Sequence, residues 1–248
     1  MKTSRTRERW WLFERPRDEL YAAIGEAEQV LVCSEVTKYL AFCYVPTSSI
    51  FAANLDIFPY AGYDTFAVVQ SSLHDAWARF YSAHLETRLK YSPGNAYETF
   101  AFPILAPPLG NLGSLYHECR REIMLTRQQG LTKTYNRFHA AGEKSEDIAR
   151  LRALHVEMDE AVAAAYAWND LDLGHGFHDT KQGVRFTINE SARRTVLDRL
   201  LALNHQRYEE EVRAGLHEKN AKGKGIDQRG RKKAVEKDAR DTQSGLFQ

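Results

Sequence analysis

"HLETRLKYSPGNAYETFAFP" runs from His84 to Pro103 and separates two parts of the chain with different character. Before it lie short apolar runs rich in β-branched and aromatic residues. After it, apolar residues recur at helical spacing. The stretch itself holds charged residues, aromatics and a Pro-Gly turn, and it reads as a strand and turn. If His84–Lys90 is extended, side chains alternate, so Glu86, Arg88 and Lys90 share one face.

Upstream, "QVLVCSEV" (29–36), "YLAFCYVP" (39–46) and "IFAANLDIF" (50–58) read as strands, with "PTSS" and "PYAGYD" as turns between them. "DTFAVVQSSLHDAWARFYSAH" (64–84) has helical period, with Phe66, Val69, Leu73, Trp77 and Phe80 on one face. The N-terminal stretch also has helical spacing through Trp10, Phe13, Leu20 and Ile24, and Pro16 kinks or restarts it.

Downstream of "PILAPPLGN" (103–111) helices dominate. Leu115, Cys119, Ile123 and Met124 form one stripe. Ile148, Leu151, His155, Met158, Val162 and Tyr166 form a second, and Leu197, Leu201, Tyr208 and Val212 a third. Thr187 followed by Glu190 fits a capping box for the last helix. Residues 170–188 between these helices read as an irregular loop ending in a short strand. The class is therefore α+β, a mixed β-sheet with flanking helices followed by a helical C-terminal domain. The boundaries fall at 1–108, 109–215 and 216–248. The last segment holds nine Lys/Arg against five Asp/Glu and little that is apolar, the composition of a disordered basic tail.

Bulk composition excludes several classes. The chain has 248 residues and a formal net charge of +1, so total charge does not point to nucleic acid. Cys33, Cys43 and Cys119 form no C-x-x-C and read as reduced, buried thiols. The charged N-terminus "MKTSRTRERWW" lacks the apolar core of a signal peptide. No run approaches the ~18 apolar residues of a membrane span. The expected location is the cytoplasm.

Catalytic signatures are missing. There is no G-x-x-x-x-G-K-S/T, no G-x-G-x-x-G after a strand and no G-x-S-x-G. The Pro-Pro of "APPLG" does not fit the Asn-Pro-Pro-aromatic motif of an amino-methylase, and there is no nuclease E-x-K motif. "GHGFHD" (174–179) gathers His175 and His178 near Asp170, Asp172 and Asp179. These are ligand types for zinc or manganese, but the glycines read first as a tight loop, and no metal is expected. His155 lies on an apolar stripe and reads as a core histidine. Arg5, Arg7, Arg9, Arg15 and Arg17 alternate with Trp10, Trp11 and Phe13. That pattern suits phosphate contact, but composition alone favours a helix pairing its arginines with Glu8, Glu14 and Asp18. Glu86 can accept from cytosine N4 and Arg88 can grip guanine O6 and N7, so the pair can read a C·G base pair or form a salt bridge.

Several segments, taken in order, carry a resemblance. They are "RERWWLFERPRDELYAAI", "KYLAFCYVP", "FAVVQSSLHDAWAR", "LETRLKYSPGNAYETFAFP", "GLTKTYNRFH", "LRALHVEMDEAVAAAYAWNDLDLGHGFH" and "RFTINESARRTVLDRLLALNHQRYEEEV". Together, over about residues 5–213, they resemble the C-terminal part of the large adenine-specific DNA methyltransferases of bacterial defence. These are the MmeI-like type II restriction–modification enzymes and the related methylase of DISARM phage-defence systems. The family's loop is close to "LRYTPSDCFETFPFP", from which Ser92, Gly94, Asn95, Ala96 and Ala101 depart here.

The resemblance implies a target recognition region that chooses the DNA sequence, followed by a helical domain. Members carry either Glu-x-Arg or Lys-x-Asp ahead of the loop, so Glu86 and Arg88 are the implied base readers. Charge adds Arg7, Arg9, Arg15, Arg17, Lys90 and Lys133 as candidate contacts to the DNA backbone. The expected partner is double-stranded DNA. The catalytic methylase half is not in these residues, so S-adenosylmethionine is expected to bind that half and no cofactor is expected here. A separate methyltransferase chain is then a second expected partner, and the chain is a split subunit or the remnant of a longer gene. The competing expectation is an interaction subunit that docks on a methylase with little DNA affinity of its own. A metal-dependent hydrolase using "GHGFHD" is the third.

Overall fold

The computed structural model describes residues 17–59 and 62–216. Helix α1 (Asp18–Ile24) leads into strands β1 (Gln29–Ser34), β2 (Val36–Thr37), β3 (Cys43–Pro46) and β4 (Leu55–Phe58). Two short helices follow, α2 (Tyr63–Gln70) and α3 (Ser72–Tyr81), then the hairpin β5 (Ala83–Leu85) and β6 (Arg88–Lys90). The rest is α4 (Pro107–Thr126), α5 (Leu131–Phe138), α6 (Glu146–Ala165), a second hairpin β7 (Gly176–Thr180) and β8 (Gly183–Thr187), and α7 (Glu190–Arg213). The expected α+β class holds.

The strands form a sheet ordered β3-β1-β4, a smaller one ordered β2-β6-β5, and the β7-β8 hairpin. All their pairings are antiparallel. Central β1 shows why its sequence is a continuous apolar run. Its alternation sends Leu31 and Cys33 into the main core, and Val30 and Val32 into a small cluster against Ile24 of α1. Both faces are covered, so both parities are apolar. Cys33, Cys43 and Cys119 are free thiols, and burial pushes Cys33 far above the usual thiol range.

The main core continues from Leu31 and Phe42 through Trp77, Tyr91 and Tyr116 to Leu151, Val162 and Leu200. It therefore crosses residue 108, where composition changes. α4 approaches α2 closely at Gly113, where a Cβ would lie 2.1 Å from the Tyr63 carbonyl oxygen. Only glycine allows that approach. The described chain separates into two compact units, one ending at Ala202 and one beginning at Leu203. In the second, Gln206 donates to Glu210 and Arg213 to Glu209 along one helical face.

Several sequence readings shift by a residue or a turn. The helical stretch 64–84 breaks at Ser71, whose extended backbone and hydroxyl cap α3 by accepting from the His74 amide. Phe66, Val69, Leu73 and Trp77 are buried as expected, but Phe80 is 64% exposed. On α4, Leu115 faces solvent while Tyr116 and Arg120 are inside. On α7 the buried stripe is Ala192, Val196 and Leu200, and Leu201, Tyr208 and Val212 are exposed. Thr187 is not the cap of α7, because Asn189 Oδ1 accepts from the Ala192 amide at 2.7 Å. The "GHGFHD" region is a regular hairpin rather than an irregular loop.

Candidate nucleic-acid interface

The hairpin β5–β6 is anchored by one residue. Leu89 is fully buried, and it sits opposite His84 on one side and Thr37 on the other. Burying an aliphatic side chain of this size stabilises by roughly 1.5–3 kcal/mol and fixes the parity of the strand. Arg88 and Lys90, one residue to either side, must then face solvent. The expected shared face is real for these two residues.

Glu86 reaches the same rim differently. Leu85 pairs with Arg88, so Glu86 and Thr87 form a two-residue turn, and Glu86 has a φ of 59°. A glutamate in this left-handed region is uncommon and costs of order 1 kcal/mol. The alternation argument for Glu86 is therefore replaced by a turn that projects it from the tip. Arg88 Nη2 donates to Glu86 Oε2 at 3.0 Å, and the two side chains are 47% and 75% exposed. At that exposure the ion pair contributes about 0–1 kcal/mol. It aligns the two groups at little energetic cost, and either can exchange the other for a base edge.

Beneath this rim, Lys90 Nζ lies 3.4 Å from Glu35 Oε1. A shallow hollow of about 330 Å³ is lined by Glu35, Asp56, Lys90, Tyr91, Ser92 and Asn95. Burial, and then the Glu35 carboxylate, raise the pKa of Asp56 to about 6. Its Oδ2 has no hydrogen-bond partner among the described residues. In the sequence the signal for Asp56 is a single acid within the apolar run "IFAANLDIF". Because the folded state holds this proton more tightly than an unfolded aspartate, the group destabilises the fold as pH rises from about 4 to about 6. Asp56→Asn is expected to stabilise the protein by on the order of 1–3 kcal/mol at pH 7 and by nothing at pH 3.5. Urea midpoints at the two pH values check this, and equal midpoint shifts at both would refute it.

The loop after the hairpin is held from inside. Tyr91 and Ala96 are buried, the Tyr91 hydroxyl is 3.0 Å from His74 Nε2, and Pro93–Tyr97 forms one wide π-type turn. Arg17 is exposed at the N-terminal end of α1 with a φ of 60°, and Lys133 is exposed on α5. Arg7, Arg9 and Arg15, like the Trp10, Trp11 and Phe13 expectation, lie outside the described residues.

The two histidines of "GHGFHD" are committed elsewhere. His175 Nε2 is 2.8 Å from Asp159 Oδ2, and His178 Nε2 is 2.9 Å from the Gly174 carbonyl. Asp170 pairs with Arg199, and Asp172 accepts the Gly174 amide. Among the described residues no group of three or more His, Cys, Asp and Glu is placed to hold a metal ion. His155 is buried, as the sequence suggested, with Nε2 3.0 Å from the Ser72 hydroxyl. Among the described residues no helix is long and apolar enough to cross a membrane.

Residues 13–104 match the family model described as "MmeI, target recognition domain". The part of the chain that is similar to this domain contains Glu86, Arg88 and Lys90 but not Lys133. A solved structure of the type IIL restriction–modification enzyme MmeI in complex with DNA is similar, with a TM-score of 0.49 and 16% identity. The similarity covers 73% of this chain and 21% of that one, so the chain spans about a fifth of the length of that enzyme. No curated protein matches the chain.

Proposed function

We propose that this chain supplies the DNA-sequence recognition of an adenine-specific methyltransferase in a restriction–modification or phage-defence system such as DISARM. In this reading the Glu86–Arg88 pair reads one base pair in the major groove. The observation that carries it is the geometry of the β5–β6 tip. Buried Leu89 fixes the hairpin, and a glutamate and an arginine project from it, exposed and weakly bound to each other. A strained, uncommon backbone at Glu86 supports a functional rather than a structural reason for that residue. Glutamate accepts from cytosine N4 and arginine donates two bonds to guanine, so together they span a C·G pair. Lys90, Arg17 and Lys133, with Arg7, Arg9 and Arg15, take the sequence-independent role of holding phosphates. Methyl transfer and S-adenosylmethionine are assigned to a catalytic methylase part, in the same polypeptide or a partner chain, that works with this one in the cytoplasm.

The test exchanges the reading groups while leaving the fold alone. Glu86→Lys with Arg88→Asp is expected to change the preferred base at one position of the bound site. Discrimination there should shift by about 1–3 kcal/mol, with total affinity for random duplex unchanged. Selection from a randomised duplex pool, at two salt concentrations, reads both quantities. Equal loss of affinity on every sequence would make the two residues structural. No duplex binding by the unmodified chain at low salt would favour the docking-subunit reading instead.

A further inference from the structure

A second candidate site is lined by neither Glu86 nor Arg88, although His84 of β5 borders it. A cavity of about 870 Å³ opens between α3, α5, the β7–β8 hairpin and the first turns of α7. That volume is typical of small-molecule sites. Its deep charged groups are Arg79 of α3 and Arg185 of β8. Arg185 is 7% exposed, lies 4.4 Å over the Tyr39 ring, and donates one long bond, 3.4 Å, to the Lys38 carbonyl. Arg79 Nε donates to Asp75 Oδ2 at 2.7 Å, while its Nη1 is buried without a partner among the described residues.

The charge count at this depth does not close. Asp75 is the one carboxylate lining the cavity that is not exposed, and it faces two guanidiniums. Asp179, Glu190 and Asp198 also border the cavity, but all three are exposed, and Glu190 already pairs with Arg193 and Arg194. The guanidiniums act on each other: burial first, then Arg79, lower the pKa of Arg185. Burial, followed by Arg185 and other cations, holds His139 at about 2, so this ring also lining the cavity is neutral. A buried cation without a counter-charge is costly, and an anion that enters the cavity relieves the cost.

We propose that this cavity binds a small phosphate monoester of nucleotide size, with the phosphate between Arg79 and Arg185. Guanidinium forks match the oxygens of phosphate. The walls contributed by Phe138, Phe186 and Leu197, with exposed Phe80 also bordering the cavity, offer apolar surface for the organic part. A duplex carries its phosphates on a wide rod, which does not reach a guanidinium as buried as that of Arg185.

The test uses the full chain and two probes, inorganic phosphate and thymidine monophosphate. Each is titrated against sodium chloride at equal ionic strength while the melting temperature is followed. A saturable rise beyond the chloride control is expected for both, with the nucleotide binding roughly tenfold more tightly. Arg79→Lys, which keeps the charge but not the fork, should weaken both probes roughly tenfold. Phe80→Ala changes an exposed side chain, so it should fold, and it should weaken the nucleotide while sparing inorganic phosphate. The phosphate response should persist in saturating duplex DNA. No saturable rise with either probe would overturn the site. Loss of the response in duplex would overturn the small-ligand assignment and give the cavity to the DNA backbone.

Discussion

Stability should fall by about 3 kcal/mol between pH 6.5 and pH 4.5, before most carboxylates titrate. The cause is buried neutral imidazole. Burial holds His74 at about 3, and burial with nearby Arg185 holds His139 at about 2. An unfolded histidine titrates near 6.5, so below that pH the unfolded chain binds protons that the folded chain refuses. Stability therefore drops as pH falls. Two such groups over two pH units amount to about 5 kcal/mol. Asp56 works in the opposite sense, because its raised pKa lets the folded state gain a proton below about 6, and it returns about 2 kcal/mol. His155 and His117 are also lowered by burial and add to the loss. The paired carboxylates Glu143, Asp170 and Glu190, held near 2 by hydrogen bonds from arginines, contribute stability that is lost only at lower pH. Urea unfolding at pH 7, 5.5 and 4.5 measures the slope. His139→Phe, which keeps the stack on Tyr39, should reduce that slope by about one proton. A flat profile from pH 7 to 4.5 would disprove the account, and Asp56→Asn should make the profile steeper.

The parts of this fold that were legible in the sequence are those where one local rule acts alone. The runs at 29–36 and 39–46 hold strands at 29–34, 36–37 and 43–46, where β-branched and aromatic residues are covered on one or both faces, whereas 39–42 is not strand. The stripe Ile148, Leu151, His155, Met158 and Val162 is buried because α6 packs against several other helices. What was not legible depends on chain segments far apart. Spacing alone cannot reveal the break at Ser71, since the apolar residues keep phase across it. The Ser-Ser pair was the signal for a cap. Spacing places the third stripe one residue out of phase, because Leu197 and Leu201 are as apolar as the Val196 and Leu200 that α7 buries. At the proposed reading site, the residues are visible in the sequence but their geometry is not. Strand alternation brings Arg88 and Lys90 to one face, whereas Glu86 arrives by a turn with positive φ that no residue type announced. The phosphate cavity was invisible for a simpler reason. Arg79 and Arg185 belong to opposite parts of the chain, and each alone reads as a surface arginine.

Arg120 is the most consequential residue that reads as surface and is not. It sits in "HECRRE" among charged neighbours, yet it is 2% exposed at the centre of the core. Its Nη1 donates to Gln70 Oε1 at 3.1 Å and to the Tyr135 hydroxyl at 3.0 Å, and its Nη2 donates to the Phe42 carbonyl. The guanidinium also lies 5.4 Å from the Phe66 ring centre and 5.7 Å from that of Tyr116. One side chain of α4 thus ties the end of the β1-centred sheet to α2 and α5, with neutral acceptors and ring faces in place of a carboxylate. Arg120→Ala should cost about 4 kcal/mol, since it opens a cavity and leaves the Phe42 carbonyl without this donor. Arg120→Met should cost less than half as much. The thioether chain fills most of the space, the cost of burying a charge disappears, and Gln70 Oε1 keeps the Phe42 amide while the Tyr135 hydroxyl keeps that of Tyr116. Denaturant titration of both variants separates two roles for the arginine. If Met is as damaging as Ala, the guanidinium bonds themselves hold the sheet to the helices. If Met is close to the parent, the arginine is tolerated for its volume, and apolar packing suffices to hold Phe42, Gln70 and Tyr135 together.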